Sequence, residues 1–260
     1  MLTAIPEGSV EQIIALATIK SDGPFACPEC TAEVILRKGR IKIHHFAHKP
    51  PVNCIYGVGE TELHRTAKQQ IYEALLASPQ CRNVAIEGSI NGMVRPDVRA
   101  RINGEPVAIE VQGSNLGLAE IERRTRHYYE LGVFVLWVQP GDPSDDRERA
   151  APAAWEKWVH SLYFGRLHYW DGGEQLLPVH FGEYQISIPE SEWYEEGGVH
   201  RQEGGYDRRS KRWRTVSHGE YCSITDGFAL QRTSWKEVPS AKIWQSTQDN
   251  WWSSKITKRA

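Results

Sequence analysis

The feature that most constrains this chain is a run of sulfur and imidazole ligands within a stretch too short to fold on apolar packing alone. Cys27-Pro28-Glu29-Cys30 is followed by His44, His45, His48 and Cys54. The spacing is C-x2-C, then 14 residues, then H-x2-H-x5-C. Thiolates and imidazoles in such knuckles suit tetrahedral zinc, and Pro28 suits the tight turn between the first two. The expected ligands are Cys27, Cys30, His48 and Cys54, with His45 competing for the fourth position or orienting a ligand from behind. Four protein ligands leave no position open for water, so such a zinc is structural. The competing reading is free thiols beside surface histidines. A redox C-x-x-C fits less well, because the pair does not sit at a strand-to-helix junction. Around it, Ile13–Ile19, Glu33–Leu36 and Arg40–His44 read as short strands separated by Asp22-Gly23-Pro24 and Lys38-Gly39. So small a piece buries little core, and a metal staple makes physical sense.

Five cysteines with no export signal argue against a disulfide framework. Met1–Val10 carries Glu7, no basic region and no long apolar run. No stretch has the length of a membrane span, so the reading is cytoplasmic, with no membrane partner. Net charge is only -2, yet its distribution is uneven. Residues 141–200 hold 4 basic against 12 acidic side chains, and residues 201–260 hold 12 against 6. The basic, tryptophan-rich end reads equally as a nucleic-acid face or as a solvated surface.

From Glu60 the periodicity turns helical. Leu63, Ala67, Ile71 and Leu75 form one stripe, predicting a helix from Glu60 to Leu76. Three strands are expected at Asn83–Ile90, Met93–Ile102 and Pro106–Gln112, joined by Asn91-Gly92 and Asn103-Gly104 turns. A helix over Leu118–Leu131, bounded by Asn115 and Gly132, leads to a buried strand at Val133–Val138. This order predicts an α/β core. A polar loop, a helix over Trp155–Gly165 and a strand over Arg166–Trp170 follow. Residues 190–220, rich in Glu, Gly and Arg, are expected to be partly disordered. Trp235, Trp244, Trp251 and Trp252 are expected to pack on the rest. The implied division is a β-rich zinc module over 1–57 and a core over 58–140. A helix–strand extension covers 141–190 and a basic, Trp-rich tail 191–260.

The core carries a second constellation. Asp97 falls in the second strand, and Glu110 in the third with Gln112 two residues on, on the same face. Paired carboxylates on neighbouring strands repel unless a cation lies between them. Magnesium or manganese favours such oxygen ligands and activates water against phosphodiesters. Glu60, His64 and Lys68, at i, i+4 and i+8, border the apolar stripe, while Glu62 lies on another face. Arg123 and Arg126 on the second helix, near Tyr128, are candidates for phosphate contact. Taken singly, each residue also reads as a turn, an edge charge or a solvated face. Taken together, in this order, they favour a metal site.

These residues resemble the competence protein CoiA family. The resemblance rests on Cys27-Pro28-Glu29-Cys30, His45-Phe46-Ala47-His48, Cys54, and Glu60-Thr61-Glu62-Leu63-His64 with Lys68. It continues through Arg95-Pro96-Asp97-Val98, Ile109-Glu110-Val111-Gln112 and Leu162-Tyr163-Phe164-Gly165-Arg166. It implies a PD-(D/E)xK nuclease-like core, DNA as partner, and Asp97 and Glu110 as ligands of a catalytic metal. Gln112 stands where many members of that wider superfamily have lysine. Glutamine orients water or phosphate but supplies no positive charge, a role expected of Lys68 or Arg123. The expectation is therefore a magnesium- or manganese-dependent endonuclease acting on DNA, single-stranded or branched, in uptake, recombination or repair. Glu60, Asp97 and Glu110 would hold metal. His64, Lys68 and Gln112 would orient water or phosphate. The zinc module and basic tail would grip nucleic acid. The alternative is a non-catalytic DNA-binding accessory protein that keeps the fold. A third reading is a zinc-module interaction protein without affinity for nucleic acid.

Overall fold

The computed structural model describes residues 1–51, 53–54, 56, 59–113, 116–141, 149–235 and 238–253, with backbone alone at 234–235 and 238–239. The expected Asn115 helix boundary, most of the loop after Gly141, and the packing of Trp235 lie outside the described residues. Among those described, no helix is long and apolar enough to cross a membrane.

The N-terminal module is a small antiparallel sheet. It is built from β1 (Thr3–Pro6), β2 (Ile13–Ile14), β3 (Phe25–Ala26), β4 (Glu33–Arg37) and β5 (His45–His48), in the order β2-β1-β3-β4-β5. Two expectations are corrected here. The apolar run from Ile13 pairs over two residues only, and the last strand is His45–His48 rather than Arg40–His44. Alternation explains the second point: Val34 and Leu36 of β4 pair with His48 and Phe46, so the ligand-bearing segment is itself the strand. The module's own core is small, gathering Phe25, Val34, Leu36 and Phe46 around buried Cys27.

Helix α1 (Glu62–Ala77) begins where the Thr61 side chain accepts the His64 N–H at 3.1 Å, a standard N-cap. Glu60 therefore precedes the helix rather than opening it. Ala67, Ile71 and Leu75 are buried as their spacing predicts, but Leu63, in the first turn, is 46% exposed.

Three antiparallel strands follow, β6 (Cys81–Ile86), β7 (Val98–Ile102) and β8 (Glu105–Val111). Asn103 and Gly104 both take positive φ, the backbone of a tight hairpin turn between β7 and β8. Asn91 and Gly92 take it too, but their turn closes a single Ile90–Val94 bridge. The strands on either side are shorter than expected, ending at Ile86 and starting at Val98. Helix α2 (Leu118–Glu130) then crosses over to β9 (Phe134–Pro140), which pairs parallel to β8. β8 and β9 are apolar runs because both their faces are covered.

Helix α3 (Ala154–Leu162) leads to β10 (Leu167–Gly172), parallel to β9, and to the long β11 (Gln175–Ile188). A small hairpin of β12 (Ser191–Tyr194) and β13 (His200–Glu203) precedes β14 (Tyr206–His218), which runs back along β11. Partial disorder was expected over 190–220, and the described structure is instead a two-stranded ribbon. Polar side chains on both faces hid it from periodicity, because ladder hydrogen bonds leave no pattern in the sequence. After β15 (Cys222–Ser223), the hairpin of β16 (Phe228–Trp235) and β17 (Val238–Ser246) returns to the core, where Ile243 pairs with Val135 of β9. Trp244 is buried there, so this stretch is core rather than tail. The whole is a mixed α/β protein.

Candidate active site and metal centre

In the N-terminal module, one ligand atom each from Cys27, Cys30, His48 and Cys54 lies within 4.8 Å of all the others. The β3–β4 connection creates this knuckle. Cys27 N–H bonds Ala32 O, Thr31 N–H bonds Cys27 O, and Glu29 N–H points at Cys27 Sγ at 3.4 Å. Cys30 Sγ lies 3.4 Å from His48 Nε2. Burial pushes the Cys27 thiol up to about 11, and the Ala32 N–H pulls Cys30 down. Three thiols and an imidazole converging without a disulfide are a donor set that fits a soft, tetrahedral cation. His45 is not part of it. It sits three residues before His48 on β5, on the opposite face, and its Nδ1 lies 2.8 Å from Ile43 O.

The second constellation forms where α1, the segment before β7, and β8 meet. Glu60, His64 and Asp97 each offer a ligand atom, again within 4.8 Å of one another. His64 Nε2 is 3.3 Å from Asp97 Oδ2. The same oxygen accepts the Val111 N–H at 2.9 Å, which places Asp97 beside Glu110 on the adjoining strand. Lys68 is buried among carboxylates, bonding Glu60, reaching Glu87 at 2.6 Å and Asp97 at 3.5 Å. Burial alone would discharge Lys68, but Glu87, Asp97 and Glu60 outweigh it and keep it cationic. Burial alone would raise Asp97, yet Lys68 and His64 hold its carboxyl well below the usual range. Glu60 is likewise brought down to about 2, against its burial, by Lys68 and the Met1 amino group.

Glu110 differs. It is 1% exposed, and burial pushes its carboxyl up to about 7, with Arg124 pulling down and Asp97 adding to the rise. Arg124 and the Tyr128 hydroxyl both bond its Oε1. Its Oε2 is buried without a hydrogen-bond partner among the described residues. An orphaned carboxylate oxygen beside a second carboxylate is a place where a hard cation fits. Gln112, expected to close this strand, falls just after β8; it is 7% exposed, its N–H bonded to Val138 O at 2.7 Å. Arg123 and Arg126 do not reach this group: Arg126 is exposed, and Arg123 is clasped by Glu120 on its own helix. Lys68 is one cation of the site, as expected; the one held against Glu110 is Arg124, which sequence reasoning missed. Helical spacing held the signal. Ile121, Thr125 and Tyr128 form the buried face of α2, and Arg124 lies on it, three residues from the first and four from the last.

Glu87 was missed as well. It is 2% exposed and joins the two modules. The backbone N–H groups of Leu2 and Thr3, the Thr3 hydroxyl, the Tyr56 hydroxyl and Lys68 all donate to it. Arg95 adds a second tie. It bonds Glu87 O and the Pro28 carbonyl of the knuckle, and lies 5.1 Å from the Tyr56 ring centroid. Glu62, for its part, accepts the Ile43 N–H from the module. Nothing in local periodicity marks an acid whose donors come from 85 residues away. The cysteine cluster and the carboxylate cluster are thus two ends of one hydrogen-bonded assembly.

Comparison with known proteins follows these boundaries. The family described as "Competence protein CoiA, N-terminal domain" matches residues 10–57, which hold the cysteine cluster. "Competence protein CoiA, nuclease-like domain" matches residues 60–157, which hold the carboxylates. The Competence protein CoiA of Bacillus subtilis (strain 168) is 31% identical over 116 residues, covering 44% of this chain and 31% of that protein. No solved structure gives a significant match. The chain belongs to the CoiA family.

Proposed function

We propose that the chain is a divalent-metal-dependent nuclease of PD-(D/E)xK type, hydrolysing DNA phosphodiester bonds, with a structural zinc at Cys27, Cys30, His48 and Cys54. The observation that carries the reading is the Oε2 of Glu110, buried and without a partner among the described residues, on the strand whose Val111 N–H is accepted by Asp97. The nuclease-like match over the same residues and the name of the Bacillus subtilis relative support a role in handling DNA during competence.

Asp97 and Glu110 would hold magnesium or manganese, with Glu60 and His64 completing the acidic side. The cation, when bound, supplies a Lewis acid that neutralises phosphate charge and activates water. The remaining work falls to the protein. Arg124 and Tyr128 fix the Glu110 carboxyl by Oε1, and Oε2, without a hydrogen-bond partner among the described residues, would be the ligand atom. Lys68 holds Glu60 and Asp97 ionised and ready as ligands. His64, partly exposed and 3.3 Å from Asp97, would orient water. Gln112 takes the position of the usual lysine, and Arg124 supplies the positive charge glutamine lacks.

One observation favours the second reading, an accessory DNA-binding protein without cleavage. Gln112 brings no charge, and Arg124 already neutralises Glu110. Cleavage of plasmid and single-stranded DNA with manganese separates the two. Activity present in the wild type and lost in both Asp97→Ala and Glu110→Ala supports the nuclease. Binding without cleavage in the wild type overturns it.

A further inference from the structure

The ribbon of β11 and β14 carries an irregularity with a chemistry of its own. Glu183 pairs with Arg214 and Gln185 with Arg209, so two steps on β11 face five on β14. The three extra residues form a wide bulge. Ser210 is buried at its base, its hydroxyl accepting the Trp213 N–H at 2.9 Å. Arg214 Nη1 closes it by donating to the carbonyls of Ser210 and Trp213. Such an ordered bulge turns side chains away from the ladder and presents them outward.

The side chains it presents are cationic. Four of the six residues from Arg209 to Arg214 are Arg or Lys, Arg208 precedes them, and Arg149 reaches the bulge from the preceding loop. Arg209 is paired with Glu183 at 2.9 Å. Arg208, Lys211 and Arg212 are exposed and have no carboxylate partner among the described residues. The planar groups are also ordered. Arg149 lies 5.4 Å from the Tyr184 ring centroid and 4.6 Å from that of Trp213, and Arg212 lies 4.7 Å from Trp213. Two guanidiniums lie against Trp213 in this ladder, so the ring is engaged by the protein's own arginines and is not read as a base-stacking platform. It holds guanidinium edges in place beside an unpaired lysine, in a protein whose net charge is -2. Pre-ordered, unneutralised guanidinium edges match the oxygens of successive phosphates.

We propose that this bulge, with Lys211 and Arg212 at its tip and Arg149 and Arg208 beside it, grips the phosphate backbone of nucleic acid. The proposal rests on the nuclease reading for its choice of polyanion and gives that reading a substrate-holding surface whose bulge, residues 208–214, lies outside the family-matched residues 10–57 and 60–157. The surface recognises charge and spacing, not base sequence.

The test is fluorescence anisotropy of a labelled 30-nucleotide single-stranded DNA over a salt series. It is run in EDTA so that cleavage cannot contribute, on the full chain and on Lys211→Ala/Arg212→Ala. Thermal melts establish that these exposed substitutions leave folding intact, and Lys211→Glu/Arg212→Glu repeats the measurement with reversed charge. The expected result is an affinity loss of at least about fivefold, larger for the reversal. The slope of log affinity against log salt should fall by about 1.4, at about 0.7 per lost contact to a single strand. Unchanged affinity and slope in both variants overturn the grip. Poly-glutamate bound as tightly as the DNA overturns its assignment to nucleic acid. Binding lost in the variants while manganese-dependent cleavage is absent from the wild type upholds the grip and refutes the nuclease. Cleavage present with binding unchanged does the reverse.

Discussion

Replacing Glu87 by glutamine removes one charge and no volume, yet it strikes the joint between the two modules. Five donors converge on this carboxylate: two backbone N–H groups, two hydroxyls and the Lys68 ammonium. A glutamine offers one oxygen, and its NH2 turns donor against donor on the other side. Each buried donor left unsatisfied costs about 1–3 kcal/mol. Breaking a buried ion pair from one side costs about 3–5 kcal/mol, softened here because Lys68 keeps Glu60 and Asp97. The expected loss is about 4 kcal/mol, a large part of the roughly 5–15 kcal/mol that holds a protein folded. Urea denaturation followed by tryptophan fluorescence reads it directly, with exposed Glu7→Gln as the control. A loss below about 1 kcal/mol would refute the view that Glu87 clamps the zinc module to the core.

Three further outcomes follow from the same geometry. Arg124→Ala should abolish or severely reduce cleavage, by about a hundredfold or more, because it frees Glu110 and removes the site's guanidinium. Arg123→Ala should leave the rate within about twofold, since that side chain is held by Glu120. Single-turnover kinetics compares the two. Removing metal with a strong chelator, or replacing Cys30 by alanine, should unfold the N-terminal module and lower the thermal midpoint, with zinc content read by atomic absorption. On acidification, Glu60 should withdraw stability. Its folded value of about 2 lies below the ordinary 4.5, so its contribution is complete above about pH 4.5 and is lost as pH falls toward 2. The shift corresponds to about 3 kcal/mol, and Glu60→Gln should flatten this part of the urea-midpoint profile.

What the sequence revealed, and what it hid, divides along the range of the interactions. The cysteine cluster was legible because ligand spacing is local and chemically specific. Choosing His48 over His45 needed only the strand that the residues between them form. Ala67, Ile71 and Leu75 marked α1 because one buried face repeats every turn, while Leu63, in the first turn, is left 46% exposed. Arg124 was hidden in plain periodicity, one residue from the arginine chosen for it. Glu87, Tyr56 and Arg95 were illegible for a different reason. Their partners come from distant parts of the chain, and no local pattern records them. The outer part of the β11–β14 ribbon was missed because its exposed polar residues resemble a loop in composition.

The central claim is that Asp97 and Glu110 share a divalent cation. A crystal soaked in manganese, with anomalous scattering recorded at the metal's edge, tests it most directly. The account predicts one strong peak within about 2.5 Å of an oxygen from each carboxylate, with Glu110 engaging it through Oε2 while Arg124 keeps Oε1. A map with manganese elsewhere, or with Asp97 still closed on Lys68 and no peak beside Glu110, contradicts it.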